Sequence, residues 1–147
     1  MSFTSFPLIS LSLTLLLVAS ISASRCRPVL AFRIALAASL IVLLLGAGSL
    51  LTFDFSLSSM QFEEMYGTGI LGWHTGLDSF SLFFYLLVTL LTPLILWFFR
   101  NESSTHTSRF LAGILAWELV LLGAVSTLSL IYFWCWLALE LVPLRMV

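Results

Sequence analysis

The sequence predicts an all-α integral membrane protein: about five antiparallel transmembrane helices, with the N-terminus outside and the C-terminus inside. Three observations carry this expectation. The chain is 61% hydrophobic and only 9% charged over its 147 residues, with a mean hydropathy of +1.13, and a soluble domain of this size needs a polar surface that such a composition cannot supply. The apolar residues fall in runs of bilayer-crossing length, separated by short polar breaks. All six basic residues are arginines, and they sit at the ends of those runs on alternate breaks, which sets the orientation. A net charge of −1 gives no ground for nucleic-acid binding.

The first span covers residues 3–23, apolar with interspersed serine and threonine. No basic residue precedes Arg25, so it reads as a retained helix rather than a cleaved leader, although the small residues at 19–23 keep a leader open as the alternative. A short loop with Arg25 and Arg27 leads to the second span, 29–53. Its small residues Ala37, Ala38, Gly46, Ala47 and Gly48 would let a neighbouring helix approach closely. The long outside loop, 54–76, holds Asp54, Glu63 and Glu64 with no basic residue, and Gly67, Gly69 and Gly72 break any helix there.

The third span, 77–99, carries Trp73 just before it and Trp97 near its far end, where interfacial anchors belong. Asp78 is placed to cap it, and Pro93 to kink its last turns. A polar loop follows, and spans 110–126 and 129–147 form a hairpin about a break at 126–129. The arginine-bearing breaks then lie on one side and the acidic loop on the other. Cys26 and Cys135 fall at different depths, so no disulfide is expected; His74 and His106 have no second ligand at metal-binding spacing, so no metal site is expected either.

Two carboxylates stand inside the last hairpin. Glu118 is nine residues beyond Arg109, roughly 13 Å along the helix, and Glu140 is seven residues before residue 147, roughly 10 Å. On antiparallel neighbours the two reach comparable depth. Ionised carboxylates cost roughly 2.5–3.5 kcal/mol at the centre of a membrane helix, so they persist as members of a proton or ion path or as satisfied structural pairs. Glu118 and Glu140 are accordingly the candidate proton-relay residues. Pro143 removes a backbone donor and frees the carbonyl of Leu139 beside Glu140, which favours local hydration. The structural alternative is that the two acids only tie helices together.

The stretch GLDSFSLFFYLLVTLLTPL, residues 76–94, resembles the third-helix signature of the antiporter-like membrane subunits of NADH:quinone oxidoreductase (respiratory complex I). Asp78, Ser81, Leu82, Thr89, Thr92 and Pro93 fit it, while Ser79 stands where the family usually has glycine. The final hairpin is similar to chain 4 of that complex: Glu118, Gly123, Val125, the turn at Ser129, the aromatic run 132–136 and Leu141-Val142-Pro143. Gln61-Phe62-Glu63 also resembles that subunit. The likeness covers residues 53–147; the first two spans match in hydrophobicity alone.

Two departures accompany the resemblance. The family's fifth-helix glutamate usually stands five residues before the proline, at Ala138 here, whereas Glu140 stands three before it, about 200° away around a helix. Complete members also carry many further helices with central lysines, and this chain has no lysine. The resemblance therefore implies an N-terminal fragment of a split chain 4, non-catalytic by itself, contributing to proton translocation in the membrane arm. It implies FMN, iron–sulfur clusters and quinone in other subunits and no cofactor bound here. The implied partners are other membrane subunits, above all a polypeptide carrying the remaining helices, and lipids. The mitochondrial inner membrane is the expected location, with a bacterial plasma membrane or thylakoid as alternatives. A non-pumping wall of the same arm and part of a cation/proton antiporter are the competing roles.

Overall fold

The computed structural model describes residues 7–68, 72–101 and 107–145. The start of the expected first span, Gly69, His106 and the last two residues of the expected fifth span lie outside these.

Helix α1 (Leu8–Arg25) buries Ile9, Ser12, Leu13, Leu16, Ser20 and Ala23, a repeat of three to four residues that makes one continuous inward stripe. Helix α2 (Pro28–Thr52) opens on a proline, which is tolerated there because the first helical N–H has no partner to lose. Its buried face is small: Ala31, Ala35, Ala38, Val42, Gly46 and Ser49. A Cβ on Gly46 would stand 3.3 Å from both Tyr85 and Leu86, so this glycine sets how closely α2 approaches the next helix. Ala37, Ala47 and Gly48 instead face outward, so only part of the expected small-residue stripe is a helix contact.

Helix α3 (Ser79–Phe98) starts in a reciprocal cap. The Asp78 carboxylate accepts from Ser81 N at 2.6 Å, and the Ser81 hydroxyl accepts from Asp78 N at 2.8 Å. The capping role expected for Asp78 is the one it has. The helix runs through Pro93, whose ring leaves the Thr89 carbonyl without its helical donor, and ends in a 3₁₀ turn at Phe99–Asn101. Helix α4 (Thr107–Ser126) returns to the starting end. After the turn come α5 (Leu130–Leu139) and the single turn α6 (Leu141–Leu144).

Helices α1, α2, α3 and α4 form a ring in which each packs on its sequence neighbour and α1 closes onto α4. In lipid the hydrophobic effect gives little between helices, so packing and interhelical hydrogen bonds hold such a ring, the latter about 0.6 kcal/mol each. Ser20 Oγ donates to Ala112 O at 2.9 Å between α1 and α4, and Ser108 Oγ donates to Cys26 O at 3.0 Å at one end. Helices α5 and α6 lean on the outside of α4, and no residue of α5 is buried.

Among the described residues, four helices are long and apolar enough to cross a membrane: α1, α2, α3 and α4 from Ser108. The fifth apolar stretch, Leu130–Leu144, is shorter. It breaks at Glu140, whose N–H bonds Leu137 O at 3.3 Å, because Pro143 has no N–H to give the Leu139 carbonyl.

The segment expected as a loop, 54–76, contains an antiparallel hairpin of β1 (Gln61–Tyr66) and β2 (Trp73–Leu77), with an irregularity between Gln61 and Glu64. Gly67, one of the glycines that exclude a helix there, lies at φ 85°, a conformation that favours glycine. The hairpin closes over the α4–α5 turn: Leu128 N donates to His74 O at 3.0 Å and Thr75 pairs with Thr127. Trp73 packs edge-on against Tyr132 and Trp136, at 5.3 and 6.0 Å, so it is a packing residue as much as an interfacial one. Trp97 keeps the exposed position expected of an anchor, with the Arg100 guanidinium 4.8 Å from its ring. Because the helices alternate in direction, Arg25, Arg27, Arg33, Arg100 and Arg109 gather at one end of the bundle. Asp54, Glu63, Glu64 and Asp78 gather at the hairpin end.

Candidate functional site: a buried carboxyl between α3 and α4

Glu118 lies eleven residues into α4, roughly 16 Å along its axis and thus near mid-membrane. Only 2% of it is exposed. Leu111, Leu115 and Leu122, three to seven residues away on the same helical face, are buried with it, so Glu118 interrupts an otherwise apolar inward stripe that ends at the buried Ser126. Glu118 borders a groove of about 340 Å³ between α3 and α4, walled also by Val88, Thr92, Ile95, Ile114, Trp117 and Leu121, while its carboxyl oxygens are themselves closed off. The Thr92 hydroxyl faces the carboxyl but donates to Val88 O at 3.1 Å. Both Glu118 oxygens are left without a sound hydrogen bond among the described residues. A buried acid in this state is stable when it holds a proton or a counter-charge, and no arginine of this chain is placed to supply the latter.

A second group of buried polar side chains runs from the hairpin end toward Glu118. The Tyr85 hydroxyl, fully buried on α3, donates to Ser12 Oγ at 2.8 Å, and Ser12 donates to Ile9 O at 2.8 Å. Glu64 of β1 is folded inward over the start of α1. Its carboxylate accepts from Ile9 N at 2.7 Å and from Ser10 N at 3.2 and 3.1 Å. It thereby satisfies donors that a helix leaves unpaired, at the positive end of the helix dipole. Tyr85 lies within electrostatic reach of both Glu64 and Glu118.

Glu140 is elsewhere. It is half-buried at the α5–α6 break and lines neither groove described here. On the opposite side of α4, α5 and α6 border a second groove, about 630 Å³, between themselves and α1; Leu13, Leu17, Ala116, Trp136 and Leu139 line it. The fold thus does not bring Glu118 and Glu140 into one cavity, although their helices pack together. Sequence reasoning had Glu64 only as one more acid of the outside loop and gave Tyr85 no role. A usable signal was present for Tyr85, since a tyrosine within an apolar span needs a partner for its hydroxyl.

No protein-family model matches the chain. It is similar to NADH-ubiquinone oxidoreductase chain 4 of Mycosarcoma maydis, with 30% identity over 116 residues, which is 78% of this chain. The chain spans about a quarter of the length of that relative, 24% of it. The likeness and the apolar helices agree on an integral membrane protein related to a complex I membrane subunit.

Proposed function

We propose that the chain is a membrane-arm subunit of a proton-pumping NADH:quinone oxidoreductase, the N-terminal part of a split chain 4, in which Glu118 takes up and releases the transported proton. The observation that carries the proton-handling role is the Glu118 carboxyl: near mid-membrane, shielded from solvent, without a sound hydrogen bond among the described residues and beside a groove. The likeness to chain 4 supports the assembly. In this reading Leu130–Leu144 completes a fifth crossing, and the arginine end faces the compartment that the positive-inside rule assigns to basic loops. The N-terminus is then outside and the C-terminus inside. A separate polypeptide supplies the remaining helices and covers the exposed flank of α5, and the redox groups sit on other subunits. The location is the mitochondrial inner membrane.

The chemistry asked of Glu118 is reversible protonation where water is scarce. The Thr92 hydroxyl is the polar group of α3 that faces Glu118. The test is NADH-driven proton uptake by membrane vesicles carrying Glu118→Gln, with assembly checked by native electrophoresis. Fewer protons per NADH in an assembled complex is the expected result. Unchanged coupling would remove Glu118 from the path.

A second reading, favoured by Ala138 at the usual acid position and by Glu140 lining neither groove, makes the chain a non-pumping wall of the same arm. Full coupling in both Glu118→Gln and Glu140→Gln would select it. Purification free of redox subunits would instead favour a cation/proton antiporter piece.

A further inference from the structure

The arginine end of the bundle carries more than a diffuse charge. Ser108 Oγ donates to Cys26 O at 3.0 Å, and this bond pins the first turn of α4 to the α1–α2 connection. Arg25 and Arg27 flank Cys26, and Arg109 follows Ser108, so one hydrogen bond brings three arginine-bearing backbone positions to the junction of three helices. All three are exposed. Among the described residues none of them makes an ion pair or hydrogen bond through its side chain.

The charge is reinforced by the backbone. Arg27, the residue before α2, makes no side-chain cap, and the first bond back to it comes from Ala31 N at 2.8 Å. The N–H groups of Val29 and Leu30 in that first turn have no helical acceptor. Apolar side chains share this end of the bundle, where a span meets headgroups: Val29 is 69% and Phe98 81% exposed, and the Phe99 and Phe110 rings meet at 5.1 Å. Guanidiniums bordered by exposed apolar side chains suit a ligand that is an anion at one end and hydrocarbon at the other.

We infer that Arg25, Arg27 and Arg109 bind the phosphate of an anionic glycerophospholipid, whose acyl chains lie against α2 and the Phe98–Phe110 corner. Three arginines and the pinned turn supply donors to the phosphate oxygens, and the bond from Ser108 keeps them together. This inference does not depend on the proposed function.

The full chain is reconstituted in nanodiscs of phosphatidylcholine with phosphatidylglycerol, and lipid retained on transfer to detergent is measured by native mass spectrometry. Phosphatidylglycerol is expected to be retained preferentially. Each guanidinium removed should weaken its retention about fivefold, the equivalent of about 1 kcal/mol, so Arg27→Gln/Arg109→Gln should weaken it about 25-fold. Ser108→Ala should weaken it without any change of charge. Equal retention of the two lipids, or no response to the double substitution, overturns the inference. Displacement of phosphatidylglycerol by millimolar inorganic phosphate also overturns it, because the site would then read phosphate from solution.

Discussion

Removing the Glu64 carboxylate tests whether the hairpin is a structural part of the bundle or a loop resting on it. Glu64 is 6% exposed and holds the Ile9 and Ser10 amides at 2.7 to 3.2 Å. Hydrogen bonds to a charged group contribute about 1.5–3 kcal/mol, and a negative charge at a helix N-terminus about 0.3–1 kcal/mol more. Glu64→Ala leaves two amides unpaired in a site closed to water, and a loss of about 2–3 kcal/mol is expected, a factor of about 30 to 150 in the folding equilibrium. Glu64→Gln keeps one acceptor oxygen but loses the charge and should cost about 1 kcal/mol. The assay is reversible unfolding of the full chain in mixed micelles, with hydrogen exchange read at Ile9 and Ser10. If both variants stay within about 0.5 kcal/mol of the parent and those amides exchange no faster, the anchoring of α1 by Glu64 is refuted.

Gly123→Ala would set a methyl group onto the Trp136 indole and should destabilise the α4–α5 contact by about 1–3 kcal/mol. Gly46→Ala, where the nearest atoms are side-chain carbons at 3.3 Å, should cost less; micelle unfolding ranks the two, and the reverse order would contradict the packing. Tyr85→Phe removes one buried interhelical hydrogen bond and should cost about 0.6 kcal/mol by the same assay. The hydrogen bonds from the Ser56 hydroxyl and amide hold the Asp54 carboxyl below the ordinary carboxylate range. A depressed folded-state pKa favours the ordered turn above the unfolded pKa, and that contribution fades as pH falls through the folded value. The Ser56 amide resonance should therefore move only below the ordinary carboxylate range; movement at or above it would contradict the bonding.

Composition alone determined that this chain lives in lipid, because no arrangement of it yields a polar surface. The capping position of Asp78 marked the start of α3, and the arginine spacing marked which ends lie together, because capping and charge sorting act over a few neighbouring residues. Leu130–Leu144 was harder to read, since hydropathy sees its apolar length but not the missing Pro143 donor that breaks it at Glu140. Tertiary structure alone decided which polar groups are buried together. Glu64 and Ile9 are 55 residues apart and Tyr85 and Ser12 are 73 apart, and such meetings depend on which faces the ring turns inward. The same packing turned Glu118 toward α3 rather than toward Glu140. Depth along a helix is written in residue count, whereas direction around it is settled by what the neighbouring helices leave room for.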